Sequence, residues 1–404
     1  MSNQKQHFDI AVIGAGIVGC TCAALYVQQG FKVLLIDAGQ PNTWQEHDLE
    51  GRVSALNLAS IRVFESLGVW QDIAKKRTCP YEKMQVWDQN SNARIEFSAA
   101  DIGLPQLGFI IENDVVVSSA LAKLGHNYNA SIISESKVSH LETDGQITTI
   151  SIEEESTQYS ANLVVAADGA NSKIREILDI QCKSTDLDQS AITCVVEAEF
   201  KHDNTALQCF LKTGPIALLP LQGNRYSLVW SSDNEYAEQL FNLSEQEFAE
   251  SLQQYFESKT GRLHTPHKRI RFPLKQQHAL NYFHDGVVLV GDAAHATHPL
   301  AGLGANIGLM DVAALVEVTN NARIAGKRIN SQPVLRRYER WRKGENDLVL
   351  KSMLLFKNGF GSDMEWVKQS RSIGMNMVDR LSPLKHKIVR YASGIDGDLP
   401  QICQ

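Results

Sequence analysis

The segment from Phe8 to Asp37 constrains this chain more than any other. FDIAVI (8–13) reads as a short buried strand, and Gly14-Ala15-Gly16-Ile17-Val18-Gly19 follows without a spacer. CTCAALYVQQG then has helical character up to Gly30, and FKVLLID is a second apolar, β-branched strand that ends in Asp37. A bare GxGxxG is weak evidence, but strand, glycine turn, helix, strand and terminal acid in this order make a dinucleotide cradle. Gly14 permits the tight turn, Gly16 (with Ala15 beside it) lets backbone approach a pyrophosphate, and Gly19 lets the helix pack closely on the strand. The helix N-terminus offers unpaired N–H groups and a partial positive charge to phosphates. Asp37 stands where a carboxylate accepts ribose hydroxyls. An acid there disfavours a 2′-phosphate, so the site is expected to hold FAD or NAD rather than NADP. The motif alone does not separate FAD from NAD.

Two distant segments bear on that choice. In NLVVAADGANSKIRE (162–176) a strand ends just before Asp168-Gly169, and Ser172 and Arg175 follow. In VVLVGDAAHATHPLAGLGAN (287–306) a strand ends at Gly291-Asp292, and a helix is predicted to begin near Gly302. Both aspartates fall at carboxyl ends of strands, where ligands bind in open α/β sheets. Asp292 is suited to a ribityl hydroxyl. A helix N-terminus at the flavin pyrimidine edge would stabilise the reduced, anionic ring by about 1 kcal/mol or more.

The three motifs together resemble those of the para-hydroxybenzoate-hydroxylase-type flavoprotein monooxygenases over roughly residues 8 to 345. RVSALN (52–57), LGVWQD (67–72), MQVWD (84–88), Glu112-Asn113, HPLAG (298–302), RRYER (336–340) and the final DLP (398–400) look like the ubiquinone-biosynthesis hydroxylases, most of all the 2-octaprenylphenol hydroxylase (VisC) type. The resemblance implies noncovalent FAD, NADPH or NADH as a transient electron donor, O2, and ring hydroxylation of a polyprenylated phenol. By position, Gly14, Ala15, Gly16, Gly19 and Asp37 would hold the ADP half of FAD, and Arg52 would lie near flavin and pyrophosphate. Asp168 belongs to the motif tied to FAD and the nicotinamide donor, and Asp292 to the ribityl region. Pro299, Gly302, Leu303, Gly304 and Asn306 would surround the isoalloxazine ring. Asn113 has two readings, a polar contact to FAD or a cap for the helix DVVVSSAL. The branch usually reads HPLAGQGxN, and Leu303 here replaces the glutamine.

The implied fold is α/β (α+β). A Rossmann-like FAD-binding domain with a mostly parallel sheet is expected from 1–77, 111–184 and 276–340. A β-sheet substrate domain is expected from 78–110 and 185–275, and a helical region from 341–404. MQVWD and ARIEF around DQNSN read as a hairpin, and AITCVVEAEF, LQCFL, IALLPL and YSLVWSS as further strands, a roof over the flavin. Arg52 is placed in an apolar context that opens a helix. Arg175 is expected to pair with Glu176 or Glu112. His295 and His298 are spaced His-x-x-His without supporting carboxylates or cysteines, so no metal site is expected, and His295 is read as structural.

A length of 404 residues suits two domains, and a net charge of −7 argues against general nucleic-acid binding. The seven scattered cysteines form no CxxC pair and read as reduced thiols of a cytoplasmic protein. No signal peptide or membrane span is expected from the sequence. The basic, amphipathic stretch from Trp366 to Arg390 has two readings: peripheral contact with the inner face of a membrane, or a packed or oligomer-facing helix. Other ubiquinone-biosynthesis enzymes are candidate partners. A single GxGxxG unit excludes the two-dinucleotide disulfide reductases, and the lack of WxWxIP excludes a flavin halogenase. Two alternatives stay open: a hydroxylase of a small soluble aromatic, and a flavin-binding scaffold subunit.

Overall fold

The computed structural model describes residues 6–46, 52–89, 91, 93–153, 157–265, 268–296, 303–361 and 381–404. Its first sheet is built from the apolar runs singled out above. The order across it is Phe283–His284, Val287–Leu289, Gln158–Ala166, Gln6–Ile13, Val33–Ile36 and Ala130–Ile133. The four inner pairings are parallel. Strands covered on both faces need apolar side chains at every position, which is why VLLI and VVL show no alternation. Val138–Thr143 and Thr148–Ile152 extend the sheet as an antiparallel branch on Gln158–Ala166.

The helix Ile17–Gln28 is buried nearly all round. It is wedged between the sheet, the helix Asn113–Gly125 and the 22-residue helix Leu303–Ile324. From Gln6–Ile13 the neighbours are Val33–Ile36 on one side and the much later Gln158–Ala166 on the other. The carboxyl end of the first strand is therefore a topological switch point, where open α/β sheets take their ligands.

A second sheet of nine strands runs Arg94–Ser98, Lys83–Asp88, Thr205–Leu211, Gly214–Leu221, Arg225–Asp233, Cys182–Ala198, Ile270–Ala279 and His295–Ala296, with Leu263–His264 beside Cys182–Ala198. The predicted hairpin is its edge. One face packs against two helices that the strand-only reading of 185–275 missed, Asn234–Asn242 and Glu245–Thr260. The second opens with a capping box on Ser244 and Glu247, a local signal present in the sequence. Trp230, Phe248, Phe256 and Leu252 fill the layer between sheet and helices.

A third, three-stranded sheet (Val53–Asn57, Gly108–Glu112, Thr78–Tyr81) faces the opposite side of the nine-stranded one. The segment after Arg52 thus departs from its expected form: VSALN is a strand, and the helix starts only at Leu58, capped by the Asn57 side chain. Alternation of Ser54 and Leu56 with neighbours on a paired strand overrides local helix propensity. The helix Gln332–Gly361 is continuous across residue 340. The terminal segment packs back on the helix Leu58–Ser66, where Ser393 O accepts from Leu58 N–H and Cys403 O from the Arg62 guanidinium. All seven cysteines are free thiols, and no helix among the described residues is long and apolar enough to cross a membrane.

Candidate active site

The glycine turn is fixed by backbone contact. Gly14 has φ +105°, and a Cβ on it would sit 2.4 Å from Ala167 O; a Cβ on Gly19 would sit 1.8 Å from Gly14 O. Gly16 has nothing within 4 Å, so space lies open over the turn where backbone must approach a phosphate. Asp37 Oδ2 accepts the Ala15 N–H at 2.5 Å and Oδ1 the Gly39 N–H at 2.8 Å. The acid therefore braces the loop while its half-buried carboxylate keeps lone pairs for further donors.

The other two motifs close on this turn. Gly14 abuts the Ala167-Asp168 peptide, and Gly291 and Gly308 both lie against Val18 of the first helix. Asp168 Oδ2 accepts Ile174 N–H, while the buried Oδ1 has no partner among the described residues. An orphaned carboxylate oxygen beside the switch point fits a site that awaits a hydroxyl or N–H donor from a bound group. Arg175 does not pair with a carboxylate. Its guanidinium donates to Ala293 O, Ala170 O and Gln277 Oε1, tying the second motif to the third. Glu112 instead takes Arg77 in a bidentate, nearly buried pair.

Asp292 sits in a recess, in contact with solvent yet crowded by protein. Burial raises its carboxyl pKa, against the downward pull of His295 and Arg52. Beneath it lies a buried polar network. Asp311 Oδ2 accepts from His295 Nε2 at 2.5 Å and from Gly291 N–H at 3.1 Å, and Oδ1 from Arg342 Nε and Asn346 Nδ2 at 3.0 Å each. Burial works to raise the Asp311 pKa, but His295 and then Arg342 outweigh it and hold it at about 2. The network locks the Gly291-Asp292 turn to the long helix. It gives His295 the structural role expected of it, and no motif pointed to Asp311, Arg342 or Asn346.

Asn306 and Asn113 both have partners within the protein, and Asn113 is not the cap of its helix. Asn306 Oδ1 accepts from Asn57 N–H and Ser60 Oγ, and Nδ2 donates to Ala55 O. Its side chain pins the long helix to the small sheet. Asn113 is the first helical residue rather than the cap, which is Glu112, and its Oδ1 accepts from Ser54 Oγ. The long helix is described from Leu303, with Gly304 near that end, and the predicted start near Gly302 borders residues outside the description. Pro299, Gly302 and His298, and the basic stretch up to Arg380, lie outside the described residues.

Arg52 links this cradle to a cavity of about 130 Å³ between the nine-stranded and three-stranded sheets. The guanidinium lies 5.5 Å from the Phe272 ring. The sheet registers place Gln208, Ala217, Val229, Thr193 and Ile270 in one row across five strands. Ala206, Leu219, Ser227 and Val195 form the row beside it. The opposite wall is Val53, Ala55, Tyr81 and Ile110. Burial pushes the Tyr81 phenol up to about 12, so it stays protonated. A mostly apolar cavity of about 150 Å³ accepts one benzene ring, so this one matches a single aromatic ring in size. Ile270, at the end of the first row, is 40% exposed and marks the mouth.

Comparison with known proteins agrees with this geometry. The FAD binding domain family matches residues 7–339. The chain is 33% identical over 396 residues to a 3-demethoxyubiquinol 3-hydroxylase of Escherichia coli (strain K12), covering 98% of this chain and 100% of the relative. It is 32% identical to the ubiquinone hydroxylase UbiL of Rhodospirillum rubrum, covering 96% and 89%, and 31% identical to the mitochondrial ubiquinone biosynthesis monooxygenase COQ6 of Homo sapiens, covering 96% and 92%. Among solved structures it is similar to p-nitrophenol 4-monooxygenase PnpA of Pseudomonas putida DLL-E4, with TM-score 0.77, 17% identity, and 97% and 99% coverage; that likeness shows the fold. The chain belongs to the FAD-dependent monooxygenases of the FAD binding domain family, in the group of the ubiquinone-biosynthesis hydroxylases.

Proposed function

We propose that this enzyme hydroxylates the aromatic ring of a polyprenylated phenol on the route to ubiquinone, with NADPH or NADH as transient donor. The observation that carries the reading is the cavity: one ring in size, lined mostly by apolar side chains, with Lys268 beside exposed Ile270 at its mouth. A prenyl tail does not fit in about 130 Å³ and would leave through that mouth. The relatives' names, which refer to ubiquinone biosynthesis, support the same substrate class.

In this reading Gly14, Ala15, Gly16, Gly19 and Asp37 hold the ADP half of FAD, and Asp168, Asp292 and Arg52 the middle of it. Pro299, Gly302, Leu303, Gly304 and the Asn306 backbone flank the ring system. The bound flavin supplies the redox and oxygen-activating chemistry. The chain supplies the rest. Arg52 presents a cation with N–H donors to the cavity on the side of the cradle. The apolar walls exclude water, and the sheets hold the ring in place. Residues 1–77, 111–184 and 276–340 act as the cofactor unit, 78–110 and 185–275 as the substrate unit, and 341–404 as a helical appendage. The exposed Leu384 and Ile388, on the helix Ser382–Ala392 with its basic side chains, support peripheral membrane contact.

The test compares hydroxylated product with peroxide released per NAD(P)H oxidised, for prenylated phenols and for small ones such as hydroxybenzoate. Tight coupling on prenylated phenols is expected. Tight coupling on hydroxybenzoate with prenylated phenols ignored would establish the small-aromatic reading instead.

A further inference from the structure

Of the residues on Thr205–Leu211 that line the cavity, only Gln208 carries a polar side chain. Along Thr205–Leu211, Leu207, Cys209 and Leu211 point to the helix layer, so Ala206, Gln208 and Phe210 point the other way. Ala206 joins the apolar cluster beside the cavity, and Phe210 packs with Val86 and Ile95. Between these two apolar neighbours stands Gln208, 5% exposed and lining the cavity. Its Oε1 is buried without a hydrogen-bond partner among the described residues.

A buried carboxamide oxygen with no donor costs free energy that an apolar side chain of the same shape would not. Its row neighbours Ala217 and Val229 offer no donor. Rotation of the carboxamide about its last torsion turns this oxygen to the cavity, where a donor that enters would satisfy it. We propose that Gln208 determines specificity by accepting the hydrogen bond of a ring hydroxyl. This sets which edge of the ring is presented for reaction, and it places the hydroxyl at the closed end, opposite the tail at Ile270. The inference rests on the reading of the cavity as the substrate site. It adds the demand that the ring carry a free O–H at Gln208 rather than an ether.

The experiment measures calorimetric binding to the FAD-loaded enzyme of two matched pairs: 2-prenylphenol with its methyl ether, and 4-hydroxybenzoate with 4-methoxybenzoate. The wild type is expected to favour the phenol over the ether in the pair it binds, by on the order of tenfold for one buried hydrogen bond. In Gln208→Met, which is close to isosteric, that ratio falls to about one with FAD content unchanged, and in Gln208→Glu, which keeps an acceptor, the preference returns. A Gln208→Met ratio equal to that of the wild type overturns the proposal, as does a wild type that binds neither pair. Loss of the ratio only in the hydroxybenzoate pair, with prenylphenol unbound, upholds Gln208 while overturning the prenylated-substrate reading.

Discussion

The glycine cradle and the cavity between the sheets meet at Arg52, yet they are made in opposite ways. The cradle is a backbone object: Gly14, Gly19 and Gly291 hold conformations or contacts that a single Cβ would destroy. The cavity is a side-chain object, set by which alternate residues of five strands face inward and how large they are. Backbone sites tolerate almost no substitution, whereas side-chain sites can be reshaped while the fold persists. A family can therefore keep one cofactor and vary its substrate.

The largest effect should come from the cradle. Gly19→Ala puts a Cβ 1.8 Å from the Gly14 carbonyl, with no flexible group to yield. A cost above about 3 kcal/mol is expected, and no FAD-loaded protein. Absorbance of flavin released on denaturation checks this, and a variant with one flavin per chain would show that the turn is not backbone-limited.

Next is the network below the cradle. Asp311→Ala leaves the Arg342 guanidinium buried and unpaired and frees the Gly291 turn. About 3–5 kcal/mol of stability should be lost, read from denaturant midpoints. Arg342→Met with Asp311→Ala should recover much of it, because the pair is then removed together.

Asp292→Ala acts on one cofactor contact and leaves the turn intact. A weakening of FAD binding by about 1–3 kcal/mol, roughly 5- to 150-fold in Kd, is expected, and turnover should fall with it. Wild-type affinity and activity would remove Asp292 from the ribityl site.

The cavity should respond differently. Ala217 lies between Gln208 and Val229 in the first row, so Ala217→Phe fills the space meant for a ring. Overpacking is expected to cost about 1–3 kcal/mol. FAD content should hold while substrate-stimulated NAD(P)H oxidation is lost. Simultaneous loss of FAD would mean that the two regions are not separable.

This contrast also explains what the sequence revealed. The glycines and the acids at strand ends announce the cradle, because backbone geometry dictates residue type at fixed spacing. Gln208 was not legible, since nothing in LQCFL says which alternate residues face a cavity until the strand has partners on both sides. Asp311, Arg342 and Asn346 were hidden because they meet only when two successive helices pack face to face. The strand Val53–Asn57 was misread because its pairing with Gly108–Glu112 is non-local.

The smallest effect lies at the rim of the buried network and is a matter of pH. His278 Nε2 lies 2.9 Å from the Tyr282 hydroxyl, which also accepts Asn346 Nδ2–H. With the tyrosine O–H donating to His278, the ring is neutral at Nε2. Burial, aided by His295, lowers the His278 pKa to about 4. An unfolded histidine titrates near 6.5, so between about pH 6.5 and 4 the unfolded chain binds more protons than the folded one. Stability then falls as pH falls through that window, and the full loss is reached below about pH 4. With partial contact to water through a side chain 15% exposed, the contribution is on the order of 2 kcal/mol. His278→Gln should start lower, having lost a hydrogen bond, but lose less Tm between pH 6.5 and 4 than the wild type. Parallel Tm curves for the two proteins across that range would place the acid sensitivity elsewhere and leave His278 charged in the folded state.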